Sequence, residues 1–85
     1  MRLNTIKQEL EAIGYFCFIT DDLLIAGTTK QYDKELDLYS LQNTIGIKIK
    51  NGEILVDYAK AQISMEKAFK SLNNAIDFIK TERPK

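Results

Sequence analysis

The residues best suited to recognition or chemistry fall between positions 32 and 39: Tyr32, Asp33, Glu35, Asp37 and Tyr39. Asp33, Glu35 and Asp37 alternate, so in an extended segment their carboxylates project from one edge. Carboxylates gathered in that way hold a hard cation or face a basic partner. The calcium-loop pattern needs a glycine and a distant glutamate in register, and neither is in place. The expectation is therefore a partner-binding segment and not a metal site. Tyr32 and Tyr39 supply aromatic contacts of the kind enriched at interfaces. The plain alternative is a solvated loop and strand start.

Other chemistries find less support. Cys17 lies between Phe16 and Phe18, and the chain has no histidine to act as its base. A reactive thiol needs exposure and a neighbour that lowers its pKa, so Cys17 reads as a small core residue. Gly27-Thr28-Thr29-Lys30 carries one glycine, and no apolar helix follows to present its N-terminus to a phosphate. It reads as a strand end and a turn. Gly14 to Phe18 is aromatic, but the strand signature of RNA-recognition domains wants Lys or Arg before the glycine, and Ile13 stands there.

Composition sets the frame. The chain has 85 residues, twelve basic and twelve acidic, for a net charge of zero, and a single cysteine. One domain spanning residues 1–85 is expected. Zero net charge argues against nucleic acid and against anionic membranes as partners. No apolar run approaches the ~18 residues of a membrane span. The opening residues MRLNTIKQELEAIG are amphipathic and contain acids, unlike a signal-peptide core. A cytoplasmic location is the expectation, and one free cysteine fits it.

The elements that must position these residues are organised around Thr44–Ala59. Asn51-Gly52 is the preferred pair for a type I′ turn. It sets Lys50 against Glu53, Ile49 against Ile54, Lys48 against Leu55, Ile47 against Val56 and Ile45 against Tyr58. One face of this hairpin is then apolar, with Ile45, Ile47, Ile49, Ile54, Val56 and Tyr58. Leu3, Ile6, Leu10 and Ile13 form the stripe of an amphipathic helix, stopped by Gly14. Tyr15–Thr20 and Leu23–Thr29 read as strands joined at Asp21-Asp22. Lys30–Glu35 reads as a polar loop and Leu36–Leu41 as a third strand. Ser64 reads as an N-cap, followed by a helix carrying Met65, Ala68, Phe69, Leu72, Ala75, Ile76 and Ile79, with Glu66 and Lys70 as an i,i+4 pair. Pro84 ends it.

The expected fold is α+β: an antiparallel meander of about five short strands, flanked by an N-terminal and a C-terminal helix on one sheet face. The expected function is that of a small non-enzymatic protein-interaction module, an adaptor, inhibitor or regulator of a size common in phage and mobile-element proteins. The partner is a protein, with a homodimer as a further option through a helix or a sheet edge. No catalytic residue, metal ligand or cofactor is assigned. The alternative is a small-molecule or metal-ion sensor domain that uses the acidic residues or the Gly27–Lys30 turn.

Overall fold

The computed structural model describes residues 1–85. Helix α1 spans Leu3–Ala12 and is followed by β1 (Phe16–Thr20), β2 (Leu23–Gly27), β3 (Thr29–Asp33) and β4 (Leu38–Gln42). Then come β5 (Ile45–Lys50), β6 (Glu53–Lys60), β7 (Ile63–Phe69) and helix α2 (Leu72–Glu82). Five strands form one antiparallel sheet in the order β1-β2-β5-β6-β7, and β3 and β4 pair only with each other. The expected α+β architecture holds, with both terminal helices packed on the sheet.

The central hairpin forms in the expected register. Lys50 faces Glu53, Ile49 faces Ile54, Lys48 faces Leu55 and Ile47 faces Val56. Asn51 and Gly52 both take positive φ, 52° and 76°, as the turn requires. Asp21, at φ 52°, turns β1 into β2.

Alternation sorts the sheet into two faces. Leu24 and Ala26 of β2, Ile45 and Ile47 of β5, and Ile54 and Val56 of β6 point to one side and are buried. Ile6 and Leu10 of α1 meet them, as do Ala75 and Ile79 of α2, and these residues form one core cluster. Each fully buried aliphatic side chain contributes roughly 1.5–3 kcal/mol. Helix α1 lies over β1, β2 and β5, while α2 lies over β6 and β7. The opposite face is open, and there Lys48 stands 3.9 Å from Asp57 and 3.7 Å from Glu66. All three are half-exposed, so these pairs add little stability.

Helix α1 ends as expected at Gly14, whose φ is 100°. Gly14 N–H donates to the Glu11 carbonyl (3.1 Å) and Tyr15 N–H to the Leu10 carbonyl (3.0 Å), which is a Schellman closure. Tyr15 is buried, and its hydroxyl donates to the Arg83 carbonyl, tying the end of α1 to the end of α2.

Two segments depart from the sequence reading. Lys30–Glu35 is not a loop: Thr29–Asp33 is strand β3, and its partner β4 begins at Leu38, two residues later than expected. The C-terminal helix does not start after Ser64. Ile63–Phe69 is instead the edge strand β7, paired along β6, and Glu66 meets Lys48 instead of Lys70. The helix N-cap is Ser71, whose hydroxyl accepts from the Asn74 N–H at 3.1 Å. The pattern Met65, Ala68, Phe69, Leu72 fits a helix, yet Ile63, Met65 and Phe69 also share one side of a strand. The eight residues of β6 extend a pairing surface beside them, and tertiary pairing decides.

Candidate interaction surface

The predicted residues lie together on β3, β4 and the turn between them, which form a hairpin arm projecting from the sheet. This arm is an outgrowth of the central strand pair. Ala26 faces Ile45 at the end of the sheet, and Thr29 faces Gln42 at the start of the arm. Gly27-Thr28 and Asn43-Thr44 lie between them, so the register passes through the junction unshifted. Asn43 takes φ 56° there. Gly27 is needed at the junction because a Cβ on it would sit 2.8 Å from the Gln42 carbonyl oxygen. The Thr28 N–H donates to that same carbonyl, and the Asn43 amide reaches the Thr28 hydroxyl at 3.3 Å.

One side of the arm is aromatic. Tyr32 and Tyr39 face each other in the ladder, with ring centroids 5.0 Å apart and planes inclined at 51°. The Lys30 ammonium lies 4.3 Å from the Tyr39 ring centroid, within cation–π range. The other side is polar except for Leu38, which stands opposite Asp33: Thr29 donates to Gln42, and Gln42 donates in turn to Gln31.

The three carboxylates do not share an edge, contrary to the sequence reading. Asp33 accepts from the backbone N–H groups of Glu35 (2.9 Å) and Leu36 (3.3 Å), closing the tip as an Asx turn. Asp37, at φ 52°, accepts from the Tyr32 hydroxyl. That bond is the main cause that raises the Tyr32 pKa, with a smaller contribution from burial. Glu35 lies in the exposed turn between them. Once the chain turns at 34–37, the alternation that would align these acids no longer applies. No group of three or more His, Cys, Asp or Glu side chains is arranged to hold a metal ion.

The arm is exposed on both sides. Every residue of β3 is exposed, and so are Leu36 (66 %), Leu38 (60 %) and Tyr39 (64 %). The two leucines were not among the predicted interface residues, although Leu36 and Leu38 bracket Asp37 in the sequence. A groove of about 340 Å³ separates the base of the arm from the β1 side of the body, with Tyr15, Phe16, Phe18, Lys30, Tyr39 and Leu41 among its walls. Phe16 and Phe18 belong to β1 and are also exposed. At the foot of the arm the Lys85 ammonium donates to the Thr28 carbonyl (3.0 Å) and lies 5.3 Å from the Phe16 ring centroid.

Gly27–Lys30 runs from the end of β2 into β3, so it has the strand-to-strand role read from its sequence. Cys17 is half-buried on the helix-covered side of β1, opposite Ala26. Burial, and then the nearby Glu11 carboxylate, push its thiol up to about 11.

A scan against models of known protein families and searches of curated proteins and of solved structures found no match. No helix is long and apolar enough to cross a membrane.

Proposed function

We propose that this chain is a non-enzymatic protein-interaction module, an adaptor, inhibitor or regulator acting in the cytoplasm, and that the β3–β4 arm carries its main contact. One observation supports this reading above the others. Large apolar and aromatic side chains (Tyr32, Leu36, Leu38 and Tyr39) are concentrated on an exposed projection that adds nothing to the core. Folded chains rarely retain such a cluster without a partner to cover it. Aromatic anchors on a strand ladder also lose little side-chain freedom on binding.

The test is affinity capture from native cell extract, using the wild-type chain and a Tyr32→Ala/Tyr39→Ala variant. Both chains are first shown to melt as folded proteins. The expected result is a protein partner held by the wild type and lost from the variant. Equal capture by both chains would remove the arm from the proposal.

A second copy of the chain is a further partner, favoured by a separate observation. The outer edge of β7 is unpaired along Ile63–Phe69, and zero net charge offers little repulsion between copies.

A further inference from the structure

The outer edge of β7 is unpaired along its length, and its charges exclude two of the registers in which it could pair with itself. Ile63, Met65, Lys67 and Phe69 lie on the helix-covered face, opposite Lys60, Tyr58, Val56 and Ile54 of β6. Helix α2 covers only part of that row. It runs back above β6, with Phe78 packed against Phe69 and Tyr58 at centroid distances of 5.2 and 5.0 Å. It ends where the Arg83 guanidinium reaches the Ala59 carbonyl at 2.9 Å. Ile63 and Met65 fall outside its cover, 64 % and 45 % exposed, and form an apolar ledge beside an unpaired backbone edge.

A two-fold axis normal to the sheet sets each residue opposite one of the same face in the other copy. An axis at Glu66 places two carboxylates directly opposite each other, and an axis at Lys67 places two ammonium groups opposite each other. Like charges in direct opposition are unfavourable. Axes at Ser64, Met65 and Ala68 avoid both, and of these the axis at Met65 pairs the longest stretch of β7, from Ile63 to Lys67. That axis sets Met65 against Met65, Ser64 against Glu66, and Ile63 against the alkyl stem of Lys67. Lys67 already leans inward, with its ammonium 5.0 Å from the Phe78 ring centroid, so it does not stand across the edge. At the other end of the sheet, the arm and the aromatic groove stand beside β1, so that edge is less open to a copy.

We propose that β7 pairs antiparallel with β7 of a second copy about Met65, joining two five-stranded sheets into one continuous sheet with all helices on the same side. This rests on the reading that the chain associates with itself, and it specifies the interface. A single strand edge with a short apolar ledge makes a small interface, and stable interfaces begin at about 1,200 Å² in total. Dimerisation is therefore expected to depend on concentration.

Sedimentation equilibrium from low micromolar to millimolar concentration tests the proposal on the whole chain and on Met65→Lys. This substitution lies at an exposed position and places two ammonium groups on the axis. The expected result is a wild-type dimer whose dissociation constant rises at least about tenfold in the variant. In parallel, Met65→Cys on a Cys17→Ser background should form a disulfide-linked dimer under mild oxidation. Residues opposite each other across antiparallel strands have Cα atoms about 4.5–5.5 Å apart, within disulfide range. A wild-type chain that stays monomeric throughout overturns self-association and this interface together. A dimer that persists in Met65→Lys and fails to crosslink through Met65→Cys keeps self-association and overturns the β7 edge. The crosslink decides the matter if Met65→Lys does not fold.

Discussion

The Tyr32 hydroxyl donates to the Asp37 carboxylate across the tip of the arm, while the Tyr32 ring packs on Tyr39 in the facing strand. One side chain thus ties the turn to the ladder. Isolated two-stranded hairpins are marginal in water, so this tie and the Lys30–Tyr39 contact account for an ordered arm outside the core.

Removing both rings should therefore act locally. In Tyr32→Ala/Tyr39→Ala, amide protons of β3 and β4 should exchange faster. Global stability should fall by no more than about 1 kcal/mol, because an aromatic cross-strand pair is worth roughly that much. Hydrogen exchange and urea unfolding read the two effects separately. A large loss of global stability would show that the arm belongs to the cooperative core.

The junction is stricter than the sheet. Gly27→Ala would bring a Cβ within 2.8 Å of the Gln42 carbonyl oxygen and 3.0 Å of the Leu41 Cβ, so backbone must move. A cost of about 1–3 kcal/mol is expected. Gly46→Ala should cost less, because its closest neighbour is the flexible end of Leu23, at 3.3 Å. Urea midpoints of the two variants test that order.

The start of α2 is testable with two serines. Ser71→Ala should cost about 0.5–2 kcal/mol through the lost cap. Ser64→Ala, at an exposed strand position, should stay within about 0.5 kcal/mol. Equal effects would contradict the boundary between β7 and α2.

Cys17 should be slow to react. With the thiol pushed from 9.0 up to about 11, the thiolate fraction at pH 8 falls about a hundredfold, and alkylation should slow with it. The same shift has a sign for stability. Below pH 9 the thiol is protonated in both states and its contribution is fully present. As pH rises from 9 through 11 the unfolded chain ionises first, and that contribution is lost. Cys17→Ser should flatten this part of the stability curve. An unchanged curve would place the alkaline loss elsewhere.

Legibility in the sequence followed the turn chemistry. Asn51-Gly52 announces its hairpin, and Gly14 announces the end of α1, because both sites need positive φ and carry residues that favour it. The turn between β6 and β7 needs the same geometry, yet Ala61 (φ 53°) and Gln62 (φ 66°) supply it. Neither residue signals a turn, so the spacing of Met65, Ala68, Phe69 and Leu72 reads as a helix and conceals the edge strand. The arm was half-legible. Tyr32, Asp33, Glu35, Asp37 and Tyr39 stood out by type, but β3 has no apolar side to mark it as a strand. Pairing with β4 makes it one.

The unshifted register through the Gly27–Thr44 junction makes the arm a removable cassette. Excising Thr29–Gln42 would leave Thr28 joined to Asn43, a two-residue loop between Gly27 and Thr44 with Ala26 still opposite Ile45. No core residue would be lost. With Thr28→Asn and Asn43→Gly supplying the favoured turn pair, the truncated chain should fold as the bare five-stranded body. Segments of other lengths could be spliced at the same point without changing which side chains face the helices.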